Sequence, residues 1–157
     1  MPRFSTISIM LTANTTGSFN TAVGKDALAA NTTAEKNTAI GYGSLGGNTT
    51  GLNNSAVGYK SLESNTTGSA NVAIGLEALN SNTTSSGNTG VGYQALKTNT
   101  GSNNTALGSE ALQLNTTGDV NTAVGGKALY ANTTGEYNQA VGYGSLQANT
   151  TGSNNQG

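Results

Sequence analysis

The chain has 157 residues and a net charge of −1, with 8% charged and 5% aromatic residues. That length fits one domain, and the charge excludes both a basic nucleic-acid footprint and an acidic tail. There is no cysteine and no histidine, so disulfide staples and thiolate or imidazole metal ligands are excluded.

The first element is "RFSTISIML", where Ile7, Ile9 and Leu11 alternate with polar residues. Alternation of that kind predicts one strand within residues 1–13, which caps the rest of the chain or docks onto another protein. The stretch has one Arg and a short apolar run but no small-residue cleavage site of a secretory signal. Nowhere does the chain reach the roughly 18 consecutive apolar residues of a membrane-spanning helix.

From residue 14 to residue 157 the chain repeats one phrase. Units begin at Asn20, Asn37, Asn54, Asn71, Asn88, Asn104, Asn121, Asn138 and Asn155. The step is 17 residues, as from Asn20 to Asn37. Between Asn88 and Asn104 alone, one threonine is missing and the step is 16. Eight units are full and the ninth stops just after Asn155. The idealised unit is N-T-A-V-G-Y-x-A-L-x-x-N-T-T-G-x-x, and a period this short names the architecture before any local assignment does.

Two short strands and two turns per unit fit this pattern better than helices. A helical hairpin needs about 33 residues, and the glycines and β-branched residues oppose helix. "TAVG" reads as one strand, "ALxxN" as the start of a second, and "NTTG" as the turn. The expected fold is all-β, a parallel β-solenoid with one unit per coil, about 38 Å long for eight coils at the usual strand spacing.

Each position of the unit then becomes a column along the rod. The ninth position is always Leu: Leu28, Leu45, Leu62, Leu79, Leu96, Leu112, Leu129 and Leu146. The fourth is always a larger aliphatic: Val23, Ile40, Val57, Ile74, Val91, Leu107, Val124 and Val141. These two columns are the expected structural core. The fifth position, Gly24, Gly41, Gly58, Gly75, Gly92, Gly108, Gly125 and Gly142, is the expected turn. The third position is small, with Ala22, Ala39, Ala56, Ala73, Ala106, Ala123 and Ala140, and Gly90 once. Strand neighbours face opposite ways, so the alanines are expected on an outer strip where another chain approaches. Each coil offers few large apolar groups against the cost of ordering a whole unit. Burial between chains is therefore expected, most simply in a trimer, with end-to-end assembly as the other form. The recurrent asparagines read either as side-chain ladders along the rod or as turn formers.

The segments "NTAVG", "NTAIG", "NSAVG" and "NVAIG" resemble the head repeats of YadA-like trimeric autotransporter adhesins, and equally the repeats of phage tail and head fibres. The resemblance spans Asn14 to Gly157. It implies a parallel β-roll in a homotrimer, at a virion or a cell surface, used for attachment to a receptor or glycan. The unit is longer than the adhesin repeat and carries the additional "NTTG", and heptads of a coiled-coil stalk are absent.

No reactive constellation accompanies the repeat. The carboxylates Asp26, Glu77 and Glu110 share the seventh position but lie in separate coils, and the Asp between glycines of calcium-binding rolls is missing. An enzyme, a cofactor and a metal are therefore not expected, nor is nucleic acid or membrane insertion. Three other columns carry weaker expectations. Tyr42, Tyr59, Tyr93 and Tyr143 form an aromatic column that covers the edge of the core or an interchain seam, or else meets a glycan. Paired threonines such as Thr32 and Thr33 resemble an ice-ordering row, and the "NTT" sites from Asn14 to Asn149 match the glycosylation sequon.

Overall fold

The computed structural model describes residues 11–157. It contains eight strands of three residues each: β1 (Thr21–Val23), β2 (Thr38–Ile40), β3 (Ser55–Val57), β4 (Val72–Ile74), β5 (Thr89–Val91), β6 (Thr105–Leu107), β7 (Thr122–Val124) and β8 (Gln139–Val141). They form one parallel sheet in sequence order. The register pairs like with like, so that Thr21 faces Thr38, Ala22 faces Ala39 and Val23 faces Ile40. The chain is an all-β parallel solenoid, and bonded equivalents such as Asn37 and Asn54 lie 17 residues apart. Of the expected strand in residues 1–13, residues 1–10 lie outside the described residues. Leu11 packs against the core at the first coil.

One strand per coil, rather than two, is the first difference from the sequence reading. The "ALxxN" stretch is a turn, because its leucine takes a left-handed backbone: φ is 49° at Leu28, 50° at Leu45 and 51° at Leu62. The turn closes on itself through the Asn31 N–H donating to the Leu28 carbonyl at 3.1 Å. It is nonetheless stacked on its neighbour, since the Leu28 N–H donates to the Ser44 carbonyl of the next coil at 3.1 Å. A left-handed leucine is uncommon and costs about 1–2 kcal/mol, and here it points the isobutyl group to the axis.

The second difference is the direction of the strand. Ala39, Ala56, Ala73, Ala106, Ala123 and Ala140 are fully buried, with Ala22 nearly so, and they line the interior together with Leu28, Leu45, Leu62, Leu79, Leu96, Leu112 and Leu129. Leu146 is partly buried against the same core. The fourth-position column of Val23, Ile40, Val57, Ile74, Val91, Leu107, Val124 and Val141 faces outward and is half-buried or exposed. The expected strip of outer alanines and the expected core of valines are thus exchanged. The reason is space. A Cβ built at Gly90, the one glycine in the alanine column, would sit 3.4 Å from Leu79 Cγ and 3.2 Å from the Ala95 carbonyl oxygen. The leucine fills the interior, so the strand opposite it has room for a single carbon.

The glycine after each strand is the turn that the sequence indicates. Gly58 has φ 135°, and a Cβ there would lie 2.5 Å from the Gly75 carbonyl oxygen of the next coil. No side chain fits that gap, whatever its conformational preference.

Two asparagine columns complete the interior, and both are ladders. In one, the Asn65 Nδ2 donates to Asn48 Oδ1 at 2.9 Å, and the Asn132 Nδ2 to Asn115 Oδ1 at 2.8 Å. In the other, the Asn54 N–H donates to Asn37 Oδ1 at 2.9 Å. The two meet within each coil: Asn37 and Asn48 both donate to the Gly51 carbonyl, at 2.9 and 3.0 Å. Fully buried amides are stable only when their donors and acceptors are answered, and the neighbouring coils answer them at every step but the one after Asn82.

Two outcomes test this interior. Ala73→Val overpacks it and is expected to cost about 1–3 kcal/mol. Val57→Ala, on the outer face, is expected to cost under about 1 kcal/mol in the single chain; denaturant unfolding of both measures the difference. Asn65→Ala orphans Asn48 Oδ1 and leaves the Gly68 carbonyl with Asn54 Nδ2 as its remaining donor, so a loss of about 1–3 kcal/mol is expected in the same measurement.

Candidate functional surface

Because every coil repeats, candidate sites are columns on the outside of the rod. On the outer face of the sheet run the second position, Thr21, Thr38, Ser55, Val72, Thr89, Thr105, Thr122 and Gln139, and the fourth-position aliphatics. Neither column contains a charged residue. Ile40 is 40% exposed, Ile74 42% and Val141 68%. With strands about 4.8 Å apart, these side chains form one continuous apolar stripe along the rod. On a chain otherwise rich in Asn and Thr, that stripe is the candidate contact surface.

The tyrosines are not one continuous row. Tyr42 and Tyr59 stack, with ring centroids 5.4 Å apart and planes 13° from parallel. Leu76 separates Tyr59 from Tyr93, and Ser109 and Gly126 separate Tyr93 from Tyr143. A Cβ at Gly126 would lie 3.2 Å from the Tyr143 ring, so that ring lies over the bare backbone there. Lys25 approaches the Tyr42 ring at 5.6 Å. Lys60 approaches the Tyr59 ring at 5.8 Å, and both distances are within cation–π range. All four tyrosine side chains are exposed.

The carboxylates of the seventh position are held by lysines rather than by one another. Glu77 pairs with Lys97 at 2.8 Å across one coil step and accepts from Gln94 at 2.8 Å. Glu110 pairs with Lys127 at 3.4 Å, and Lys25 stands 3.9 Å from Asp26. Hydrogen bonds from Lys97 and Gln94 hold the Glu77 carboxyl below its ordinary range. The Glu63 carboxylate, 3.0 Å away, raises Lys60 by hydrogen bonding and by charge. Among the described residues there is no cavity, and no group of three or more His, Cys, Asp or Glu is placed to hold a metal ion.

Two columns singled out in the sequence are absorbed by the fold. The first threonine of the "NTT" spends its hydroxyl on the neighbouring coil at every such site but Thr83 and Thr150: Thr49 Oγ1 donates to the Thr66 carbonyl at 3.1 Å, and Thr116 Oγ1 to the Thr133 carbonyl at 2.9 Å. The sequon asparagines Asn31, Asn48, Asn65, Asn82, Asn115 and Asn132 are fully buried, and their Nδ2 groups are already bonded. A sugar on any of these nitrogens is incompatible with the stacked coil.

The outer aliphatic stripe is the feature that the sequence reading missed as a surface. Its signal was present in "NVAIG", where Val72 and Ile74 flank Ala73: two large residues around one small one put the small one inside. No protein-family model, curated protein or solved structure matches the chain.

The two shifted groups fix the pH response. Glu77, depressed, adds stability that is present above its unfolded value and lost as pH falls through its folded one. Lys60, raised, adds stability that is present below its unfolded value and lost as pH rises through its folded one. Both pairs are part-exposed, so solvent screens them and each contributes little. The melting temperature is therefore expected to be flat between about pH 5 and about pH 9 and to fall slightly at both extremes; calorimetry across that range checks it.

Proposed function

We propose that the chain is a non-enzymatic structural segment of a fibre or spike, in which copies associate side by side and the repeated surface serves attachment. The observation that carries this reading is the outer stripe of eight aliphatic residues, one per coil and uncharged along its whole length. A contact surface with the period of the coils is matched best by another chain with the same period, which is a second copy. Three copies around one axis are the simplest closed arrangement. The seam then runs along Val57, Ile74 and their equivalents, not along the alanines. The resemblance of "NTAVG" and its variants to phage fibre and YadA-like head repeats supports a virion tail or head fibre first. A bacterial surface adhesin or extracellular filament subunit is the second form of the same role.

A glycan-binding role draws its support from one place, the stacked and half-exposed rings of Tyr42 and Tyr59, whose outer faces suit a sugar. An ice-ordering role has less: the hydroxyls of Thr49 and Thr116 are already bonded, and Val72 and Gln139 interrupt the outer threonine column.

Light scattering at micromolar concentration tests the assembly. A particle near three times 15.6 kDa is expected, and Val91→Asp in the middle of the stripe is expected to give single chains with an unchanged circular dichroism spectrum. A wild-type particle of one chain mass would overturn side-by-side association.

A further inference from the structure

We infer that the step between the coil starting at Asn71 and the coil starting at Asn88 is a built-in joint, where the rod opens and bends first. At the "NTT" corner, successive coils are held by three rungs. At the step from Asn65 to Asn82 these are Asn82 Nδ2 to Asn65 Oδ1 at 3.0 Å, the Thr66 N–H to the Thr83 carbonyl at 2.8 Å, and Thr66 Oγ1 to the same carbonyl at 3.1 Å. At the step from Asn99 to Asn115 the three recur, at 2.7, 2.7 and 2.9 Å. At the step from Asn82 to Asn99, all three are missing.

The cause is the 16-residue coil. Without its second threonine, the Asn99 amide reaches the Gly101 carbonyl two residues on, at 2.7 Å, instead of closing a turn of three. Its nitrogen no longer meets the coil before it. Asn82 Oδ1 is left as the one buried side-chain polar atom without a partner among the described residues. The Thr100 carbonyl, freed from the Thr83 rungs, is taken by the Ser85 hydroxyl. The same step also carries the one gap in the alanine column, Gly90, next to Leu79.

The opposite side of the step is closed. Strands β4 and β5 pair in full, the Leu79 N–H donates to the Ala95 carbonyl and the Ser81 N–H to the Lys97 carbonyl, both at 3.0 Å. Glu77 spans the step to Lys97 and Gln94. A step that keeps only the Ser85 hydroxyl in place of three rungs at one corner, and is clamped at another, opens in one direction, with the Glu77 side as its hinge. This joint is a property of the single coil stack and holds whether or not copies associate.

Native-state hydrogen exchange on the full chain tests it. The Asn88 and Asn103 amides, which cross the step beside the open corner to Asn71 Oδ1 and the Ser86 carbonyl, are expected to be protected about tenfold less than Asn71 and Gly87, their equivalents one coil earlier. Insertion of one threonine between Thr100 and Gly101 restores the full-length coil and is expected to bring the two pairs to equal rates. Deletion of Thr50 shortens another coil and is expected to speed the Asn37 and Asn53 amides, which cross the corresponding step to Asn20 Oδ1 and the Glu35 carbonyl, by a similar factor. Equal rates for the two pairs in the wild type would overturn the joint. So would fast exchange that persists in the insertion variant. If that variant does not fold, unchanged Asn37 and Asn53 rates on deletion of Thr50 would do so.

Discussion

The buried carboxamide answered by an identical carboxamide one coil further on is the constraint on which the rest of this structure depends. Asn37 and Asn48 converge on one carbonyl within their coil, while each also bonds to its equivalents above and below. Such a group is satisfied at one register only, because a shift by a single residue leaves it buried and unpaired. The 17-residue period is therefore set by amide geometry at least as much as by the hydrophobic column. It also accounts for a chain so poor in charge. With the polar interior of each coil satisfied by its neighbour, the hydrophobic part can be as thin as one leucine and one or two small residues.

That thin interior explains which parts of the fold were legible in the sequence. The period, the parallel stacking, the leucine column and the glycine turn could all be read, because each is a residue type recurring at one position. The inward side of the strand could not. Alternation states that Ala22 and Val23 face opposite ways but does not say which one faces in. Size as a guide to burial favours valine, whereas the actual limit is the volume that Leu28 leaves over. The second expected strand failed for a related reason: nothing in "ALxxN" announces that its leucine sits at φ 49° in Leu28 and 50° in Leu45. Leucine has no preference for that region, and the stacked coils impose it.

The surface was legible in its columns but not in their meaning. The tyrosines were visible at the sixth position, yet the interruptions by Leu76, Ser109 and Gly126 reduce them to one stacked pair and two isolated rings. The pairing of Glu77 with Lys97 across a coil step depends on which side chains the curvature of the coil brings together, and spacing alone does not give that. The outer aliphatic column was counted into the core, and its exposure makes it, in place of the alanines, the surface along which association is proposed.

The glycine after each strand has a wider implication. At Gly24, Gly41, Gly58, Gly75, Gly92, Gly108 and Gly125 the obstacle to a side chain is the following coil's own glycine, whereas at Gly142 nothing lies within 4 Å. The steric demand on each unit is thus made by the next unit and is met by any unit of the same kind. A gene encoding such a chain can gain or lose whole repeats without creating a clash anywhere, while a change at the glycine, leucine or asparagine of one repeat is felt at once. Rod length is in this sense free to vary by duplication, and the wording of the repeat is not.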